Sequence, residues 1–146
     1  MATFSRNVSV NWEGSIMEGK GQVKAGTGAF NLPVTFPRRV GDPAGSTSPE
    51  ELIAAAHAAC FAMALNATVG RKGGAIARTE VTATVTADKG ESGIKITTSK
   101  LTVVAHGLTG IPKEQFAEVA SAAEKGCPVS NALRGSLKIE LDAKAV

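Results

Sequence analysis

The chain has 146 residues, a length that fits one ordinary domain able to bury a sizeable core without a metal or a disulfide. Apolar residues make up 43% and charged residues 20%, which is typical of a globular protein and not of a disordered one. The net charge is +3, but the lysines and arginines are scattered, and aromatic residues make up only 4%. We therefore expect no nucleic acid and no membrane surface as a partner.

The first residues, MATFSRNVSVNWEG, have no apolar stretch behind a basic start and do not resemble a signal peptide. We therefore expect a cytoplasmic protein. A purely structural disulfide is rare in that reducing compartment. The two cysteines, Cys60 and Cys127, are accordingly expected to be catalytic, metal-binding or incidental.

Short strands separated by glycine-rich turns are predicted in the first third of the chain. Alternation of apolar and polar residues, together with glycines typical of turns, predicts them over residues 4–12, 20–25 and 29–34. A polar loop that contains glycine and proline is predicted over residues 37–48. Loops of that length are uncommon without a functional reason.

A long helix is predicted over residues 49–70. Ser48 fits its N-cap, a proline follows in the first helical position, and Glu51 completes a Ser-x-x-Glu capping box. The segment is long and largely apolar, but alanine dominates it and it contains His57 and Asn66, which argues against a membrane span. We predict a buried central helix, whose alanines would let a sheet or a partner subunit approach closely.

The rest of the chain alternates between strands and helices, which indicates an α+β fold. Strands are predicted over residues 79–89, 93–106 and 136–142. Helices are predicted over residues 112–126, with Gly126 as the C-cap, and over residues 128–135.

The two cysteines have different predicted surroundings. Cys60 lies inside the long helix, whereas Cys127 directly precedes a helix. A thiol is a nucleophile only as the thiolate, and a helix N-terminus stabilises negative charge only within its first turn. A reactive Cys60 would therefore need a cation from elsewhere in the fold, and Arg38 and Arg39 in the loop are the candidates.

Less specific interpretations of these residues stay open at this point. A cysteine in an alanine-rich helix is usually a small apolar residue, and Cys127 could simply cap a helix. His57 lies one turn before Cys60, so it could form a Cys–His dyad or a metal site, or be packed and locally hydrogen-bonded. Because the chain has two histidines and no Cys-x-x-Cys or His-x-x-x-His pattern, we expect no metal and no cofactor.

Two segments that contain the cysteines resemble the OsmC/Ohr family, the osmotically inducible and organic hydroperoxide resistance proteins. They are SPEELIAAAHAACFAMAL and GCPVSNALRG, and NWEG near the N-terminus is similar to a family start. The HAACF and GCPVS segments are more similar to the OsmC branch. The resemblance implies one OsmC/Ohr-like domain over residues 1–146, with antiparallel-rich sheets around a long central helix, in an intertwined homodimer.

By position, the resemblance implies that Cys60 is the peroxidatic cysteine and Cys127 the resolving one, with Glu50 and Arg39 as the active-site glutamate and arginine. It implies a peroxidase that reduces organic hydroperoxides to alcohols through a Cys60 sulfenic acid and a Cys60–Cys127 disulfide. A dithiol reductant, such as a dihydrolipoyl protein, would reopen that disulfide. Glu50 lies ten residues before Cys60, or about 15 Å of helix rise, so we expect a site shared across the homodimer.

Two other functions use the same residues differently. In one, the thiol pair belongs to a non-catalytic redox sensor or binding module; in the other, both thiols are inert in a structural protein. If the chain is a peroxidase, four apolar residues are candidates for its substrate pocket, although core packing is the more common role of each: Phe36, Phe61, Met63 and Phe116.

Overall fold

A computed structural model describes all 146 residues, which form two compact units, residues 1–49 and residues 50–146. Strands and helices are both present, and the α+β prediction is confirmed. The expectation of one domain over residues 1–146 stays a prediction.

The first unit contains a three-stranded antiparallel sheet. Its strands are β1 (Val8–Glu13), β2 (Lys20–Ala25) and β3 (Asn31–Val34), with β2 in the centre. Alternate residues of β2 are buried, as expected for a strand with one covered face. A short helix, α1 (Phe36–Val40), follows the sheet.

Two predictions for this unit are wrong in part. The first strand begins four residues later than predicted, because Val8 pairs with Ala25, the last residue of β2. The predicted loop over residues 37–48 contains most of α1. The hydroxyl of Thr35 caps this helix by accepting from the Arg38 N–H at 3.3 Å, and a proline occupies its first turn.

The second unit contains a sheet of three long strands. β4 (Arg78–Gly90) and β5 (Gly93–His106) are antiparallel, whereas β6 (Lys138–Ala145) pairs with β5 in parallel. The sheets are thus antiparallel-rich, with one parallel pair. The last strand begins and ends later than predicted, because the residues that pair with Thr98–Ala105 of β5 are Lys138–Ala145.

Three helices accompany this sheet. α2 (Pro49–Arg71) covers the predicted long helix, and α3 (Phe116–Gly126) begins after a 3₁₀ turn at Lys113–Gln115. α4 (Pro128–Leu133) follows almost immediately. The prediction of Gly126 as the C-cap is wrong: Cys127, in an extended conformation, ends α3 and is also the N-cap of α4.

The apolar core of this unit lies between one face of the sheet, α2 and α3. The central strand β5 contributes fully buried residues at alternate positions, and α3 buries positions spaced three and four apart. The largest fully buried apolar side chains are Phe61, Leu65, Val69, Leu101, Val103 and Phe116.

Helix α2 is also long and apolar enough to cross a membrane by length and composition, with a mean hydropathy of 1.7 over its most apolar window. One such helix is weak evidence, because the core helix of a globular domain passes the same test. In this chain, Phe61, Leu65 and Val69 of α2 pack into the core of the second unit. The remaining face of α2 is largely exposed.

Candidate active site

Cys60 and Cys127 meet within the second unit. Cys60 is half-buried on α2, and Cys127 is fully buried at the junction of α3 and α4. Both are free thiols, and the two side chains lie near enough to interact, since Cys127 raises the pKa of Cys60. The fold therefore brings together two cysteines that are far apart in the sequence.

The N-terminus of α4 serves both sulfurs. The N–H of Ser130 donates to Cys127 Sγ at 3.5 Å, and the backbone N–H of the preceding residue, Val129, lies near enough to Cys60 to lower the pKa of that thiol. Two consecutive backbone donors are thus directed at two neighbouring sulfur atoms. The sequence indicated that this helix would stabilise charge on Cys127, but gave no sign that it would also reach Cys60.

The pKa of Cys60 is nevertheless raised above its ordinary value. Burial is the largest cause, and the hydrogen bond and like charge of Cys127 act in the same direction. The Val129 N–H opposes them by stabilising the thiolate. Cys60 is therefore less ionised at neutral pH than an exposed cysteine.

His57 lies one helical turn before Cys60 and is fully buried. Its Nδ1 lies 2.7 Å from Ser99 Oγ on β5, and its Nε2 lies 2.7 Å from Ser130 Oγ on α4. Burial lowers the pKa of the imidazole, so His57 is neutral at pH 7. Because both ring nitrogens bond to serines, His57 is packed and hydrogen-bonded, and the Cys–His dyad is not formed.

A half-buried ion pair joins α3 to the end of α4. Arg134 Nη2 lies 2.8 Å from Glu124 Oε1 and 3.3 Å from Asn131 Oδ1. The Glu124 side chain is 11% exposed and that of Arg134 is 47% exposed. This pair holds the C-terminal end of α4, as the His57–Ser130 bond holds its first turn.

Cys60 opens onto a groove of about 380 Å³ between α2 and α3. Met63 and several alanines form its walls, and Arg71 lies at its far end. Of the four residues proposed for an apolar pocket, Met63 lines this groove, whereas Phe61 and Phe116 are fully buried core residues. Phe36 belongs to the first unit, in α1.

The other two predicted site residues lie at the ends of their helices. Arg39 is half-buried in α1 of the first unit, and Glu50 is half-buried in the first turn of α2. α2 is continuous from Glu50 to Cys60, so their separation along the helix is about 15 Å of rise. The roles of Arg39 and Glu50 stay predictions.

Residues 41–142 match the family model of the OsmC-like proteins. The chain is 37% identical to peroxiredoxin OsmC of Escherichia coli K12 over 144 residues, which covers 98% of this chain and 99% of that protein. The chain belongs to the OsmC family. The predicted resemblance is thereby confirmed.

Solved structures show that the chain has the OsmC/Ohr fold. The crystal structure of the organic hydroperoxide resistance protein OhrB of Bacillus subtilis gives a TM-score of 0.72 at 30% identity, covering 94% of this chain and 98% of that one. An organic hydroperoxide resistance protein OsmC from Legionella pneumophila gives 0.73 at 27% identity, with 99% of each chain covered.

Sequence reasoning missed three groups in this OsmC-family chain: the Val129 N–H, the Ser130 hydroxyl and Ser99. The first is a backbone group, and its target is set only by the position of α4. Ser99 stands on a strand where its neighbours alternate between buried and exposed, and its inward position was the one available signal.

Proposed function

We propose that the chain is a cysteine peroxidase that reduces organic hydroperoxides to alcohols, with Cys60 as the attacking and Cys127 as the resolving cysteine. The contact between the two thiols at the N-terminus of α4 is the observation that carries this proposal. The family relatives support it, since one is a peroxiredoxin and others are organic hydroperoxide resistance proteins.

The first step is an attack of the Cys60 thiolate on the terminal oxygen of the hydroperoxide. The O–O bond breaks, Cys60 becomes a sulfenic acid, and the alkoxide leaves and takes up a proton to give the alcohol. The sulfur is oxidised by two electrons and the peroxide is reduced by two. The groove beside Cys60, with its alanines and Met63, fits an apolar substituent on the peroxide.

The second step is resolution by Cys127. Its thiolate attacks the sulfenic sulfur of Cys60, the S–O bond breaks, and hydroxide leaves as water after taking up a proton. A dithiol then reopens the disulfide by exchange and is itself oxidised. A dihydrolipoyl protein is the proposed reductant, and a reducing cytoplasm is the proposed setting.

A cation is needed because the pKa of Cys60 is raised by its burial. The proposed cation is the Arg39 guanidinium, which would stabilise the thiolate and hold the peroxide. Glu50 would orient that guanidinium through a bidentate pair. Since Glu50 lies about 15 Å along α2 from Cys60, the proposed site is shared between two chains, and the partner supplies its carboxylate.

The proposed enzyme works as an intertwined homodimer. Support comes from the exposed face of α2, where apolar residues recur every four positions. This spacing forms the ridges by which two helices pack closely. A second copy on this face would also cover the groove at Cys60. The residues concerned are Ala55, Ala59, Met63 and Ala67.

A peroxide consumption assay with a panel of dithiols tests the proposal. The wild-type chain should consume cumene or tert-butyl hydroperoxide over many turnovers, and Cys60→Ser should abolish consumption. Cys127→Ser should leave a sulfenic acid at Cys60 that dimedone traps. If the chain is oxidised only once and no dithiol supports turnover, the redox sensor is favoured. Slow alkylation of both thiols at equal rates would favour inert cysteines.

A further inference from the structure

We infer that His57 is a positioning residue for both cysteines, acting through its hydrogen bond to Ser130. The inference rests on the proposed peroxidase function. Neither ring nitrogen of His57 bonds to a sulfur, because both bond to serine hydroxyls. Its role is to hold the first turn of α4 in the place where the amides of that turn meet Cys60 and Cys127.

Helix α4 cannot hold this position by itself. It has six residues, and isolated helices of that length are not stable in water. Its location is therefore fixed by tertiary contacts, and Ser130 is its fully buried polar one. The Arg134–Glu124 pair is at the other end, away from the amides that face the sulfurs.

Ser130 connects the anchor directly to the thiols. Its hydroxyl bonds to His57, while its own N–H donates to Cys127 Sγ. The N–H of the preceding residue, Val129, reaches Cys60. Loss of the His57 bond would therefore release Ser130 and, with it, the adjoining Val129 amide that acts on Cys60.

The imidazole is suited to this task because it spans two elements at once. Ser99 on the central strand β5 holds Nδ1, and Ser130 on α4 holds Nε2, so α2, β5 and α4 are tied at one point. The buried ring is neutral, with one nitrogen donating and the other accepting. No buried polar side-chain atom lacks a partner, so the network is complete.

The resolving step depends most on this placement. Cys127 must approach the Cys60 sulfenic sulfur in line with the S–O bond, which breaks as hydroxide leaves and becomes water. A displacement of α4 by a fraction of an ångström would reduce the population of this arrangement. It would also weaken the Val129 contact, so the pKa of Cys60 would rise further.

Ser130→Ala and Ser99→Ala form a matched pair for the test. Each removes one hydrogen bond from His57 at a fully buried site, so each should lower stability by a similar amount. After one equivalent of cumene hydroperoxide, disulfide formation should slow about tenfold in Ser130→Ala and clearly less in Ser99→Ala. Acid-quenched samples analysed by mass spectrometry give both the sulfenic acid and the disulfide.

A second pair keeps the test valid if a serine variant fails to fold. The amide of glutamine reaches as far as the imidazole Nε2, whereas that of asparagine reaches only as far as Nδ1. His57→Gln should therefore retain the bond to Ser130 and most of the resolving rate, and His57→Asn should lose both. The pH profile of Cys60 alkylation gives a further readout. In a Cys127→Ser background, adding Ser130→Ala should move this profile to higher pH.

Equal slowing in Ser130→Ala and Ser99→Ala, in proportion to lost stability, would overturn the inference, because His57 would then be only structural. Wild-type resolving rates in Ser130→Ala would overturn it as well. A failure of the proposed function looks different: the wild-type chain itself would form neither a sulfenic acid nor a disulfide with any organic hydroperoxide.

Discussion

The Cys60 thiol is under opposing influences that can be assigned to particular groups. Burial and the neighbouring Cys127 raise its pKa, and the Val129 N–H lowers it without cancelling them. Only the thiolate attacks peroxide, so a raised pKa moves the reactive range of Cys60 to higher pH. The proposed Arg39 cation would move that range back toward neutrality.

Replacement of Arg39 should therefore change the pH dependence of peroxide reduction. Arg39→Ala should lower the rate at pH 7 about tenfold, because the pKa of Cys60 would rise further without the neighbouring cation. The rate should recover as the pH is raised, because the thiolate fraction grows with pH. The measurement is the rate of sulfenic acid formation from pH 6 to pH 10.

Arg38→Ala is the matched control, since Arg38 is the exposed neighbour of Arg39 in α1. It should retain the wild-type pH profile. A loss of rate in Arg38→Ala with no effect of Arg39→Ala would contradict the assignment of the arginine.

At the scale of the elements, helix α4 has its N-terminus beside both cysteines. Its start was predictable, because a Cys-Pro pair followed by a helical pattern predicts an N-terminus at that point. The partners of its amides were not predictable, because they depend on the packing of α4 against α2. Helix α1 was not predicted either. Thr35 caps it and a proline occupies its first turn, where the sequence predicted a loop.

The Arg134–Glu124 ion pair should contribute measurably to the stability of this part of the fold. Arg134→Ala leaves a carboxylate that is only 11% exposed without its cation, which should cost about 1–2 kcal/mol of unfolding free energy. Arg78→Ala is the control, because Arg78 pairs with Glu80 at an exposed site and should cost clearly less stability. Urea unfolding measures both, and equal losses would contradict the structural role of the Arg134–Glu124 pair.

At the scale of the whole molecule, the composition of α2 becomes understandable. The sequence predicted a buried central helix, and one face of α2 does enter the core of its unit. The opposite face remains exposed and apolar, with Met63 73% exposed. A homodimer would bury this face, and it was the family resemblance rather than hydropathy that predicted one.

A charge on this face should separate the proposed dimer. Met63→Glu should give a monomer in analytical ultracentrifugation and lose most peroxidase activity, because the proposed site is shared between chains. Thr84→Glu places the same charge on an exposed position of β4 and should leave the dimer intact. A fully active monomeric Met63→Glu would show that the site is complete within one chain.

The resemblance to the family predicted the thiol pair, and the fold explains why the pair is close: α3 ends at Cys127 directly against the middle of α2. The sequence alone left inert cysteines as an alternative, because burial and hydrogen bonding of a thiol depend on tertiary contacts. The contributions of Arg39 and Glu50 stay predictions for the same reason.

The most direct test of the central claim is the mass and peptide map of the reduced chain after one equivalent of cumene hydroperoxide. We expect the mass to fall by that of two hydrogen atoms, with a single linked peptide pair joining Cys60 to Cys127, and full recovery of both thiols with a dithiol. An unchanged mass, or two cysteines that both remain open to alkylation, would contradict the account.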